Sequence, residues 1–322
     1  MSNSHEDSFD HIPRDVEALS RFDKESEEIL RSFLGPINGS ESPPIIYHYT
    51  DANGLRGILE TGRLWLSDIF TLNDPSELRH GIFWAAKILK KNGPKEFARF
   101  FEDFFKSESN VNRANYFICS FSSRGNDLAQ WRAYANNGRG YALGFDAKRL
   151  QMAFEKHGCD IPALPAQAPG INRKKRVPGT FPITYSDHKL AKIYTKIINL
   201  IPLPLPANRS DQANLLSTLV VRVLTASLLF KHKAYRNEKE YRFLELHGTM
   251  KPRQVILRTR LDALIRYREF DWKKRAAGSL RTIVVGPAAD RQKGFQFAQD
   301  CVRMFCSSPV DISCSDIPYR AL

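Results

Sequence analysis

The chain has 322 residues, of which 42% are hydrophobic and 26% charged, the balance of an ordinary soluble globular protein and not of a disordered or fibrous one. Its formal charge is +13, yet residues 1–42 hold ten acidic and four basic side chains, so the remainder carries +19. A body this basic suits nucleic acid, an anionic membrane surface or a phosphorylated cofactor as its partner, and charge alone does not choose among them.

The first forty residues read as a polar tail and then an amphipathic helix from about Asp15 to Leu34, with Val16, Leu19, Phe22, Ile29, Leu30 and Phe33 near one side and Gly35-Pro36 as its stop. Ile45 to Thr50 is rich in strand formers. Asp51 is placed to cap a helix that ends at Gly62, and Leu64 to Ser67 makes a second strand. Asn73-Asp74-Pro75 predicts a turn, followed by a helix over about 77–91 and a phenylalanine-rich helix holding Phe97, Phe100, Phe101, Phe104 and Phe105. Tyr116 to Phe121 predicts a strand, Leu128 to Tyr134 a short helix, Asn136 to Arg139 a tight turn and Gly140 to Phe145 another strand. Residues 158–179 shift to proline, glycine and basic residues and predict a surface excursion. Helices are expected over about 188–200 and 211–230, strands near 240–245, 254–258, 282–285 and 310–314, and a helix over 291–305.

Strands early and late with helices between give an α+β fold. The division expected is an acidic tail and amphipathic helix over 1–44, then a single α+β domain over 45–322 with helical insertions at about 77–108 and 187–230. The longest apolar run, Leu215 to Phe230, is interrupted by Arg222 and falls short of the ~20 residues that span a bilayer, so no membrane crossing is expected. Met1 to Asp10 lacks the basic-then-apolar order of a secretory signal, and the five cysteines lack paired spacing, so the expected compartment is the cytosol with reduced thiols.

Two polar clusters in apolar surroundings carry the candidate chemistry. Glu238 and Glu240, two apart on an expected strand, would point the same way and divide labour at one site; the plain alternatives are a solvated strand and a pairing of Glu240 with Arg242. The basic stretch Lys231-His232-Lys233-Ala234-Tyr235-Arg236 before them suits an anionic ligand with a reactive cationic centre. His48 reads either as a packed histidine satisfied by a backbone carbonyl or as a neutral imidazole donating to a ribose hydroxyl, with Tyr49 and Thr50 beside it at the strand end. Asn73, Asp74 and Glu77 read as a turn and helix start, or as an acidic loop lining the cleft. Trp131 and Arg132 read as helix packing and a surface charge, or as a platform for a base. Cys119 reads as strand packing.

In order along the chain, Tyr47-His48-Tyr49-Thr50, Leu64-Trp65-Leu66-Ser67, Leu72-Asn73-Asp74-Pro75, Cys119-Ser120-Phe121-Ser122, Gln130-Trp131-Arg132-Ala133-Tyr134, Gly140 to Phe145, and Lys231-His232 with Tyr235, Glu238, Glu240 and Arg242 resemble the bacterial family named domain of unknown function 2971 over about residues 45–317. A histidine-bearing first strand, a short helix ending in glycine and a late strand carrying glutamate also resemble, more distantly, the ADP-ribosyltransferase fold of the DNA-modifying toxin type. That second resemblance implies split antiparallel sheets forming a cleft and NAD as substrate, with no metal. It implies that His48 holds the NAD ribose, that Glu240 stabilises the oxocarbenium ion left by nicotinamide, and that Glu238 orients an acceptor, DNA or RNA among the candidates. Trp131, Tyr134 and Tyr141 all qualify as the aromatic that stacks on nicotinamide. Two alternatives stand beside this expectation: a magnesium-dependent nuclease using Asp74, Glu77, Glu238 and Glu240, and a module that senses a nucleotide without turnover.

Overall fold

A computed structural model of the protein describes residues 15–34, 43–71, 76–106, 115–156, 179–247, 256–260 and 263–321. In chain order the elements are α1 (Val16–Leu34), β1 (Ile45–Thr50), α2 (Ala52–Thr61), β2 (Arg63–Asp68), α3 (Ser76–Asn92), α4 (Lys95–Lys106), β3 (Asn115–Ser122), α5 (Leu128–Tyr134), β4 (Tyr141–Asp146), α6 (Ala147–Glu155), β5 (Gly179–Pro182), α7 (Asp187–Ile198), α8 (Arg209–Leu228), β6 (Glu240–His247), β7 (Ile256–Arg260), β8 (Ala263–Asp271), α9 (Trp272–Arg275), β9 (Leu280–Val285), α10 (Arg291–Phe305) and β10 (Asp311–Cys314), with 3₁₀ turns at Ile69–Thr71 and Lys233–Glu238.

Local chemistry accounts for several boundaries. Asp51 accepts a hydrogen bond from the Gly54 amide at the start of α2, and Gly62 ends that helix in the left-handed region at φ 68°, where a side chain would be strained. Asn136, Asn137 and Gly138 are all left-handed and turn the chain between α5 and β4. Four elements differ from expectation by being unforeseen: β5, α6, β8 and α9. α6 begins directly where β4 ends, Asp146 serving as its cap, so no loop residue marks the change. In β8 charged residues interrupt the apolar alternation, and they are tolerated because Arg266 pairs with Asp68 of the adjacent β2 and Arg268 with Glu245 of β6.

The fold is α+β, with one open, largely antiparallel sheet in the order β10-β9-β4-β1-β3-β2-β8-β7, and with β6 and β5 branching from β3. Among the described strands, β9 and β10 are the pair that runs parallel. Odd and even positions of β3 feed separate cores, as the two-residue period of a strand requires. Phe117, Cys119 and Phe121 pack with α2, α6, α9 and α10 on one face, whereas Tyr116 and Ile118 meet the helical layer of α1, α3, α4, α7 and α8 on the other. α8 is buried around most of its circumference within that layer. Gly81 of α3 permits the closest approach, since a Cβ there would lie 2.8 Å from the Ser227 Cα. Among the described residues no helix is long and apolar enough to cross a membrane.

The acidic helix α1 is built into this layer: Leu19, Phe22 and Leu30 belong to its core. Arg222, which breaks the apolar run of α8, is 4% exposed and reaches back to α1, donating to Ser26 Oγ at 3.0 Å and to Asp23 Oδ1 at 2.7 Å. Replacing Arg222 with Leu is expected to lower stability by about 3 kcal/mol in urea denaturation, because buried polar partners lose their cation. Arg56→Leu, which breaks an exposed pair with Glu60 one helical turn away, is expected to change stability by less than about 0.5 kcal/mol.

Candidate active site

The fork in the sheet makes the site. One edge of β3 is fully occupied by β6, from Asn115 opposite His247 to Ser122 opposite Glu240. Its other edge is shared: β2 pairs at Phe117 and Ile118, and β1 pairs at Ser122. Cys119, Ser120 and Phe121 lie between the two diverging strands. A cavity of about 370 Å³ opens here, within the ~300–1,000 Å³ of small-molecule sites. Its lining includes His48 from β1, Trp65 and Ser67 from β2, Ser120 from β3, and Glu240 and Arg242 from β6.

Glu240 is 6% exposed and both its oxygens are occupied. Oε1 accepts from Ser120 Oγ and from Arg242 Nε, each at 2.7 Å, and Oε2 accepts from Arg242 Nη2 at 3.1 Å and Lys231 Nζ at 3.3 Å. Burial pushes this carboxyl upward, but the Arg242 and Lys231 charges and the hydrogen bonds outweigh it and hold the group at about 2. Its backbone amide donates to the Tyr185 hydroxyl at 2.9 Å.

Glu238 does not share a strand with Glu240. It ends the 3₁₀ turn, and Lys239, a non-glycine residue at φ 45°, separates the two. The carboxylates still converge, because Lys231 Nζ contacts Oε2 of both, while Tyr134 donates to Glu238 Oε1 at 3.2 Å. The expected common orientation therefore comes from a shared lysine and not from strand alternation. Lys231 is only 6% exposed, whereas His232 and Lys233 beside it are exposed.

His48 satisfies part of each expectation. Its Nδ1 lies 3.0 Å from the Ser120 carbonyl, which can only accept, so Nδ1 carries the proton and Nε2 of the neutral ring is an acceptor. Burial lowers its pKa, opposed by that hydrogen bond, so the neutral form is favoured. A neutral His48 already committed in this way cannot donate to a ribose hydroxyl; it can accept from one. Tyr47, opposite Ser122, shares the face of the Ser120 side chain, and His48, next along the strand, lies toward Phe121 and Cys119. His48 thus borders the cavity through the gap in the fork while Glu240 borders it from the sheet face, and Ser120 touches both.

The other candidates divide. Trp131 is fully buried, edge-on to Tyr49 with ring centres 4.8 Å apart, and its indole donates to Asn126 Oδ1. Tyr141 is 3% exposed and donates to the Gly294 carbonyl at 3.3 Å. Neither is available to stack on a ligand. Thr50 packs on the first turn of α2, 1.9 Å from where a Cβ on Gly54 would stand, and is not among the residues that line the cavity. Tyr49 contributes to the lining but spends its hydroxyl on the Arg124 carbonyl at 2.7 Å. Tyr134 remains, 40% exposed at the mouth. Asp74 and the Asn73 beside it lie outside the described residues, as does the Glu77 side chain.

Sequence reasoning missed Trp65, Arg258, Tyr235 and the hydroxyl of Ser120 as lining groups. Trp65 is 43% exposed, with the Arg258 guanidinium 5.2 Å from its ring centre. The legible signal was Ser120-x-Ser122, two hydroxyls two apart within an apolar strand. Cys119 stays a packing residue: burial drives its thiol up to about 12, where no thiolate forms at neutral pH.

Residues 130–243 match the model of a family described as a protein of unknown function (DUF2971). The matched segment runs from within α5 through the first half of β6 and so contains Tyr134, Lys231, Glu238, Glu240 and Arg242, whereas His48 lies before it. No curated protein and no solved structure matches the chain.

Because the Glu240 pKa is depressed on folding, its stabilising contribution is present above about 4.5 and is lost as pH falls toward about 2. Glu240→Gln is expected to cost about 3 kcal/mol at pH 7, a penalty that shrinks as the wild type is acidified through this window. Unfolding monitored by tryptophan fluorescence at several pH values measures it, and a penalty constant down to pH ~2.5 would assign the loss to packing alone.

Proposed function

We propose that this chain is an NAD-dependent ADP-ribosyltransferase-like enzyme that works in the forked-sheet cavity. The observation that carries the reading is the anchoring of His48 and Glu240 on one residue, Ser120, at a shared hollow. The parting of β1 from β2 along one edge of β3 also agrees with the split-sheet cleft that the resemblance implies.

In this reading the bond between nicotinamide and the ribose C1′ breaks, and the electron pair leaves with nicotinamide. Positive charge then develops on the sugar. Glu240, ionised and fixed in orientation by Ser120 and Arg242, is suited to stabilise that charge, since a preorganised carboxylate needs no rearrangement as the charge appears. His48 Nε2 accepts from a ribose hydroxyl. Tyr134 is the aromatic at the nicotinamide end, and Arg258 gives the cavity a cationic group for phosphates. Glu238 takes the proton of the acceptor as it attacks C1′. The acceptor class is nucleic acid, supported by the +19 balance beyond residue 42 and by the half-exposed Trp65 beside Arg258, a surface on which a base can stack.

One observation favours a second reading, a module that binds the nucleotide without turnover: both Glu240 oxygens already have protein donors. The magnesium-nuclease reading is weaker, because Lys231 already stands between the two glutamates that would share the ion.

Incubation with labelled NAD and DNA or RNA, with and without chelator, separates these outcomes. Transfer predicts nicotinamide release and label on the polynucleotide, both reduced at least ~100-fold by Glu240→Gln below its unfolding temperature. Thermal stabilisation by NAD without product supports the module, and chelator-sensitive strand cleavage supports the nuclease. No binding and no product would overturn both NAD readings.

A further inference from the structure

We propose that Lys231 is a positioning residue that keeps Glu238 and Glu240 ionised together, so that the cavity holds two carboxylates where one would otherwise be forced to take a proton. Its service to an NAD cleft rests on the reading above; its control of the pair does not.

Lys231 is held from behind. Its backbone amide donates to the Thr184 carbonyl at 3.0 Å, directly beyond the end of α8, so the root of the side chain is fixed to the segment that follows β5. The ammonium reaches Glu238 and, at 3.3 Å, Glu240, and lies 4.7 Å from the centre of the Tyr235 ring. The left-handed turn at Lys239 folds the chain so that residues 238 and 240 approach this one group. Two carboxylates on a single cation, with side chains only 12% and 7% exposed, would repel strongly if that cation were removed, because burial and like charge both favour the protonated form.

Among the described residues, the surrounding charged and titratable groups are seen in other contacts. Arg242 of β6 serves Glu240. Tyr134 of α5 donates to Glu238, and Tyr185, ahead of α7, accepts from the Glu240 amide; burial raises both phenols, so they stay neutral at the pH values concerned. Tyr235 offers a ring face, His48 is committed to the Ser120 carbonyl, and Arg258 lines the cavity from β7. Lys231 is the one cation for which contacts to both carboxylates are seen among the described residues.

The full chain carrying Lys231→Met tests this, with Lys231→Arg and the double variant Lys231→Met/Glu238→Gln beside it. Without the lysine one carboxyl of the folded protein should bind a proton more readily than in the unfolded chain, so the variant should lose stability as pH rises. The thermal midpoint of Lys231→Met should therefore fall, relative to wild type, by about 5 °C more at pH 8 than at pH 5. Glu238→Gln should return most of the pH 8 loss, since it removes one of the two repelling charges, and Lys231→Arg should behave like wild type. A loss equal at both pH values, or a double variant no better than Lys231→Met at pH 8, would overturn the proposal; a single variant unfolded at pH 8 and rescued by Glu238→Gln would support it. None of these midpoints needs turnover. NAD inertness of the wild type would remove the enzyme reading and leave them standing, whereas pH-independent midpoints with intact nicotinamide release would remove the role of Lys231 alone.

Discussion

A strand edge can satisfy one neighbour along its whole length, and on one side β3 gives that edge to two. β2 takes the segment around Ile118 and β1 takes Ser122, which leaves the Ser120 carbonyl to a side chain. The imidazole of His48 takes that carbonyl at 3.0 Å, a place that a strand partner would otherwise fill. The cavity follows from this shortfall in pairing, because the backbone that would close it is absent. Two polar groups of the site meet at the same residue: its carbonyl holds His48 and its hydroxyl holds Glu240.

The electrostatics follow from where the helical layer stops. On one face of β3 and β6 the residues Tyr116, Ile118 and Leu244 are covered by helices, and the next positions along, Ser120 with Arg242 and Ser122 with Glu240, are the polar ones. Burying a lone carboxylate there would cost several kcal/mol, and Arg242 and Lys231 remove that penalty. The arrangement makes Glu240 strongly ionised and rigid. Such a group is suited to stabilising positive charge and poorly suited to carrying a proton at neutral pH.

The acidic amino-terminal helix takes its place by the same logic of counter-charge. Arg222 lies inside a helical bundle, and Asp23, Ser26 and Glu27 of α1 supply partners for its charge. The described part of this segment therefore belongs to the helical layer, and the residues lining the cavity come from other elements.

Much of the secondary structure was legible from the sequence because it depends on local rules: the Asp51 cap and Gly62 stop, the apolar period of α1, the bounds of α5 and α10, and the β-rich runs that became β1, β3 and β6. The mixed α+β class followed from their order. β8 escaped because its charges are satisfied only by side chains on other strands, and α6 because it starts without a loop. Within the site the sequence marked His48, Glu238, Glu240 and Tyr134, residues that stand out chemically in their own segments. It gave no means to exclude Trp131 and Tyr141, since burial is decided by what folds over a ring and not by its neighbours in the chain. Nor could it give Ser120 its part as anchor, Lys231 its place between two carboxylates or Trp65 its position at the rim, because each rests on contacts between residues far apart in the chain or turned toward one another by a backbone bend. Local propensity determined the elements; the shared edge of β3, a property of no single segment, decided which side chains meet.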